Sequence, residues 1–192
     1  FNGLLWFCLR DHTYLFYVLH LATYLTTQVA LNGDGHRYLY GDYPALGNTA
    51  LPVVTFLGFL SVFCFNRKFL LLTEYSRVFD KIFRFIELLC GFMAIASLFF
   101  AYKMVIPVAA IVGLVGGPIF ILAGFQVWKS GYAPAKIFVL AWTLFCGGSF
   151  IFSLKVFGVL ESNGFTDHAS QIGSMSQIIL LSLALAHRIH VL

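Results

Sequence analysis

The sequence predicts an all-α, polytopic integral membrane protein built as a seven-helix bundle, with the first helix only partly included. Three observations carry this expectation. Of the 192 residues, 60% are hydrophobic and 10% charged, whereas soluble domains run near 45–50% apolar and about 25% charged. The apolar residues fall in blocks close to the roughly 20 residues that cross a bilayer core. The helix breakers and most charges gather between those blocks, as they do where loops join membrane spans.

Taken in order, residues 1–9 are an apolar run that would rise only about 14 Å as a helix, under half of the hydrocarbon thickness. They are expected to be part of a longer span. Arg10, Asp11 and His12 form a polar turn before a second span over 13–31. The stretch 32–48 reads as a loop, with Gly33, Gly35, Gly41, Gly47 and Pro44 as breakers and Tyr38, Tyr40 and Tyr43 suited to a membrane interface. A third span covers 49–65. Asn66, Arg67 and Lys68 then open a polar stretch that reaches Lys81. The remaining spans are predicted at 81–101, 104–128, 135–160 and 168–192, with short turns around Tyr102 and Lys103 and around 129–134, and a loop over 161–167. The whole of 1–192 is read as one transmembrane domain.

Counting basic residues by side gives the orientation. Arg10, Arg67, Lys68, Arg77, Lys81, Arg84, Lys129, Lys136 and Arg188 fall on one side, and only Arg37, Lys103 and Lys155 on the other. The amino end is therefore expected outside and the carboxyl end in the cytoplasm. Because the basic residues report topology, the net charge of +4 does not point to nucleic acid. Cys8, Cys64, Cys90 and Cys146 lie far apart in apolar stretches and read as buried small hydrophobes, not as a redox or metal motif.

Candidate functional residues are few. Ala109, Gly113 and Gly117 recur every four residues in the fifth span, followed by Pro118. Rows of small residues let helices approach closely in lipid, and proline removes one helical hydrogen bond, so packing, a hinge or a dimer seam are the readings. Asp80 and Arg84 stand at i, i+4 and Arg84 and Glu87 at i, i+3, spacings that pair opposite charges on one helical face. That cluster reads as a salt-bridged interface group or a buried switch. Lys155 is read as reaching out of the sixth span, and His20 as a packed histidine deep in the second.

Asp34, His36, Asp42, Glu161, Asp167 and His168 offer cation donors without a recurring ligand spacing. His187 and His190 are too few for a catalytic metal centre. No cofactor or metal is predicted, and a retinal Schiff base is excluded because the last span has no lysine. That span instead carries Gln171, Ser174, Ser176, Gln177 and Ser182, groups that bond across helices. Its end, through His187 and Arg188, holds no glycine or proline. It is expected to continue into the cytoplasm as a helix able to pass on a shift or rotation.

Several stretches carry a family likeness across nearly the whole chain. They are Asn2-Gly3-Leu4-Leu5, Arg10-Asp11-His12-Thr13-Tyr14-Leu15, Tyr38-Leu39-Tyr40, Asn48 to Pro52, and Phe65-Asn66-Arg67-Lys68-Phe69-Leu70. Further on come Gly131-Tyr132-Ala133-Pro134-Ala135, Gln171-Ile172-Gly173-Ser174 and the run from Leu181 to Ile189. In order and spacing these resemble the bacterial seven-transmembrane receptors with diverse intracellular signalling modules.

The resemblance implies a sensor and relay domain in the bacterial inner membrane. It implies an extracytoplasmic sensor domain before it, a histidine kinase or diguanylate cyclase type of output domain after it, and a homodimeric assembly. Two positions depart from the family pattern, which often has an acidic residue at Gln177 and an aspartate at His187. The alternative class is a small transporter or channel, which would need a polar pathway that His20, Gln126, Gln177 and scattered serines barely supply. An enzyme ranks behind both, because no catalytic constellation is visible.

Overall fold

The computed structural model describes residues 12–31 and 44–191, and all of its described elements are helical. They are α1 (His12–Leu31), α2 (Pro44–Phe69), α3 (Leu72–Tyr75), α4 (Arg77–Ala96), α5 (Tyr102–Lys129), α6 (Pro134–Val156) and α7 (Gly164–Val191). The run 1–9 and the loop residues Asp34, His36 and Asp42 lie outside the described residues.

Among the described residues four helices are long and apolar enough to cross a membrane, over Thr49–Phe69, Tyr102–Lys129, Pro134–Lys155 and Gly164–Arg188. The other two long helices fall short of that measure for visible reasons. In α1, His20, Gln28, three tyrosines and four threonines dilute the apolar content; in α4, Arg77, Asp80, Lys81, Arg84 and Glu87 do so. Large apolar side chains nevertheless stand on the outer faces, including Leu88 at 75% exposed, Leu114 at 78% and Met175 at 65%. Such surfaces are a liability in water and are the normal outer surface of a protein in lipid.

Helix ends differ from the sequence expectation in three places. The third predicted span runs on to Phe69, so Asn66 and Arg67 belong to a helix and not to a loop. The chain then reverses through Leu70 and Leu71, and Leu71 takes the left-handed conformation at φ 50°. Fully buried Phe69, Leu70 and Leu72 hold that reversal in the core. Second, α4 starts at Arg77, where the Ser76 side chain accepts from the Phe79 amide, and it stops at Ala96. Third, the fourth turn of the chain is therefore at 97–101, and Tyr102 already opens α5.

The chain divides into two compact units, Phe1–Val115 and Gly116–Leu192. In the first, α2 packs against both α1 and α4. The Tyr17 and Phe65 rings lie 5.2 Å apart, those of Phe63 and Phe83 5.3 Å apart edge to face, and the Thr23 and Ser61 hydroxyls are 3.4 Å apart.

In the second unit α6 and α7 form an antiparallel pair. Gly131, at φ 98°, ends α5 in the left-handed turn that glycine adopts without strain, and Pro134 then opens α6 as a first-turn proline can. Asn163 caps α7: its Oδ1 accepts from the amides of Phe165 and Thr166 at 3.0 and 2.9 Å. Thr166 Oγ1 accepts in return from the Asn163 amide at 2.9 Å, a reciprocal cap.

Candidate functional site

In the first unit the candidate site is a layer of four charges where α2 meets α4. The buried face of α4 runs through Asp80, Phe83, Cys90 and Ala94, and Glu87 lies along it with an 11% exposed side chain. Because α2 stays helical past Asn66, it carries Arg67 over this face. Arg67 Nε donates to Glu87 Oε1 at 2.8 Å, and its Nη1 donates to Asp80 Oδ1 at 3.4 Å. The other Asp80 oxygen takes Arg84 Nε at 3.0 Å.

The sequence expectation of an Asp80, Arg84 and Glu87 cluster within one helix is therefore half met. Asp80 and Arg84 pair as i, i+4, but Glu87 turns to Arg67 of the neighbouring helix. Arg67, Asp80 and Glu87, with side chains 20%, 10% and 11% exposed, are strongly coupled because little water screens them, whereas Arg84 is more than half exposed. The chemistry open to the group is exchange of ionic partners, and the Cys64 thiol of α2 also hydrogen-bonds Glu87 there.

Asn66, beside Arg67, opens the polar stretch that follows the third predicted span. It is fully buried, and among the described residues neither its Oδ1 nor its Nδ2 has a hydrogen-bond partner. His20, placed deep in the second span by sequence, likewise has a buried Nδ1 without a partner among the described residues.

The glycine row of α5 is used for close packing. A Cβ on Gly113 would come 3.3 Å from the Phe59 ring, and one on Gly117 would come 2.6 Å from Cys146 Sγ. Pro118 is exposed, and α5 continues through it from Tyr102 to Lys129.

The tightest approach is elsewhere, between α6 and α7. A Cβ on Gly148 would run into the Ala169 carbonyl oxygen and lie 3.1 Å from Gly173 Cα; one on Gly173 would lie 3.0 Å from the Leu144 oxygen. The sequence reading missed this seam. Its signal was present as Gly147-Gly148 facing a four-residue spacing from Ala169 to Gly173.

Along α7 a buried stripe continues from that seam through Ser174, Gln177, Leu181, Ala184 and Leu185 to Arg188. Gln177 is 3% exposed and its Nε2 has no hydrogen-bond partner among the described residues, as is true of the buried Trp142 Nε1 on α6. His187 is exposed and so stands off the stripe that holds Gln177 and Arg188. At the other end of this helix pair Lys155 Nζ meets Asp167 Oδ1 at 2.7 Å. The lysine read as reaching outward is thus tied to α7. Among the described residues no group of three histidine, cysteine or carboxylate side chains is placed to hold a metal.

Long apolar helices and lipid-compatible outer faces define a multi-pass α-helical membrane domain. The family model for 7TM diverse intracellular signalling matches residues 1–188. The chain belongs to that family, whose members are receptor transmembrane domains with intracellular signalling. No curated protein and no solved structure matches it.

Proposed function

We propose that this chain is a seven-span sensor and relay domain that couples an extracytoplasmic sensor domain to a cytoplasmic output domain of the histidine kinase or diguanylate cyclase type. The observation that supports this most is α7. It runs unbroken from Gly164 to Val191 and carries one buried stripe over most of its length. A rod gripped along one face moves as a unit, so a shift at its first turn appears at its last, and such element shifts are known switching devices.

Four further readings go with this one. The domain lies in the bacterial inner membrane with its amino end outside, as the basic residue count favours. It works as a homodimer, since kinases and cyclases of this kind act in pairs. The Arg67, Asp80, Arg84 and Glu87 layer is a set of ionic contacts that the two signalling states break and remake. Gly113 and Gly117 let α5 pack closely enough for such a movement to be felt, and Pro118, which removes one helical hydrogen bond, gives it a point to bend.

The test is output of the full-length receptor carrying Gly117→Leu or Gly148→Leu, with Gly147→Ala as the control. Output altered by the first two and kept by the third supports the relay. Unchanged output in all three, in proteins that fold and insert normally, sinks it. Solute uptake by the domain reconstituted in liposomes would favour the transporter reading instead.

A further inference from the structure

Besides its buried face and its exposed apolar face with Val78 and Phe85, α4 has a third side. Two hollows open along it. One, of about 320 Å³, is lined by Thr73, Arg77, Asp80, Lys81 and Arg84. The other, of about 500 Å³, is lined by Leu60 of α2 with Arg84, Glu87, Leu88, Gly91 and Phe92. Arg84 lines both, so they form one groove with a basic end and an apolar length.

The charges at the basic end do not cancel. Asp80 and Glu87 are already held by Arg67 and Arg84, and Arg77 and Lys81 have no ion-pair partner among the described residues. Arg84 engages Asp80 through Nε, and its side chain is 57% exposed. Its two Nη groups have no partner among the described residues. Three cations with free donors therefore surround one hollow, the arrangement that recognises a phosphate group.

The apolar end is open because position 91 is glycine: a Cβ there would meet nothing within 4 Å. Gly91 lies ten positions beyond Lys81, about 15 Å along a helix. That is half of the roughly 30 Å hydrocarbon core, or one leaflet. A molecule with an anionic head and a tail one leaflet long fits this groove end to end.

We propose that this groove binds an anionic phospholipid, with its phosphate among Arg77, Lys81 and Arg84 and an acyl chain lying along Leu60, Leu88, Gly91 and Phe92. The site goes beyond the relay reading and does not depend on it. It requires only that α4 lie in a bilayer with its basic end at the headgroup level. A single bound lipid would then bridge α2 and α4 next to the Arg67–Glu87 ion pair.

The purified chain in detergent, titrated with phosphatidylglycerol, phosphatidylcholine or soluble glycerophosphate and read by native mass spectrometry, tests the site. Wild type is expected to prefer phosphatidylglycerol over phosphatidylcholine by at least about tenfold, since each basic group near the headgroup contributes on the order of 1 kcal/mol. Arg77→Gln with Lys81→Gln, both exposed positions, is expected to erase that preference. Gly91→Leu, which fills open space, is expected to weaken both lipids equally without lowering the melting midpoint. Equal binding of the two lipids by wild type overturns the proposal. So does a preference that survives the double substitution, or unchanged lipid binding in Gly91→Leu. Competition by glycerophosphate as effective as that by the whole lipid would make it a free phosphate site and also overturn it.

Discussion

Arg67 of α2 and Glu87 of α4 meet through an Nε–Oε1 hydrogen bond of 2.8 Å, with side chains only 20% and 11% exposed. That pair ties two helices at a depth where an uncompensated charge is costly, and the same Arg67 also neutralises part of Asp80.

Removing the arginine is therefore expected to hurt far more than removing its neighbour. Arg67→Gln leaves two shielded carboxylates close together and is expected to destabilise the purified chain by about 3 kcal/mol, the range for breaking a buried pair from one side. Arg84→Gln gives up a half-exposed i, i+4 pair worth about 0.3–0.5 kcal/mol. Melting midpoints in detergent compare the two. Equal losses would mean that Arg67 is as well solvated as Arg84.

The seam between α6 and α7 offers an internal control one residue away. Gly148→Ala pushes a methyl group into the Ala169 backbone, which cannot step aside without separating the helices. A destabilisation of about 2 kcal/mol is expected, as for overpacked cores. Gly147→Ala meets nothing within 4 Å and removes a flexible glycine from a helix, so it should be neutral or stabilise by up to about 1 kcal/mol. Thermal unfolding of the two proteins side by side checks this, and the reverse order would refute the seam.

Gln177 separates stability from signalling. Its amide nitrogen is buried without a partner among the described residues, and replacing a poorly satisfied polar group by an apolar one of similar shape is nearly neutral or stabilising, by about 1 kcal/mol here. Gln177→Met is thus expected to keep or raise the melting midpoint. If α7 relays the signal through this position, output of the full-length receptor falls in the same variant. A variant that loses stability would show that Gln177 is satisfied in the native state.

The Lys155–Asp167 contact is the exposed counterpart of the buried layer. Asp167→Asn should lower the melting midpoint slightly at low salt, and the difference from wild type should fade as ionic strength rises and screens the exposed pair. A difference that persists at 1 M salt, where the screening length is about 3 Å, would show that the contact is shielded from solvent.

Much of the helix map could be read in advance because burial in lipid is written residue by residue. The spans predicted at 104–128 and 135–160 lie within a few residues of α5 and α6. The errors fell where a polar residue was taken as a loop marker. Asn66 and Arg67 are polar yet helical, because the helix ends only when Leu71 adopts a left-handed turn, and nothing polar announces that leucine. At the other end of α4, Lys103 and Tyr102 looked like a turn but begin a helix, while the uncharged residues 97–101 make the break.

The candidate site was legible only in parts. The i, i+4 spacing of Asp80 and Arg84 is a property of one helix, so it could be named from the sequence and is present as an ion pair. The glycine row in α5 was conspicuous, yet the closest helix approach is at Gly148 and Gly173, where fewer small residues line up. Spacing along one helix shows which residues share a face, but not which face a neighbour will meet.

Composition and apolar block length were enough to determine that this chain is helical, membrane-embedded and ordered as a series of spans, because each span satisfies its own backbone and answers to the bilayer alone. Folding decided the partners: Glu87 with Arg67, Lys155 with Asp167, and Gly148 with Ala169 and Gly173. Those contacts join residues 12 or more positions apart. They depend on how each helix is rotated about its axis, a quantity set by the packing of all its neighbours and by no local pattern.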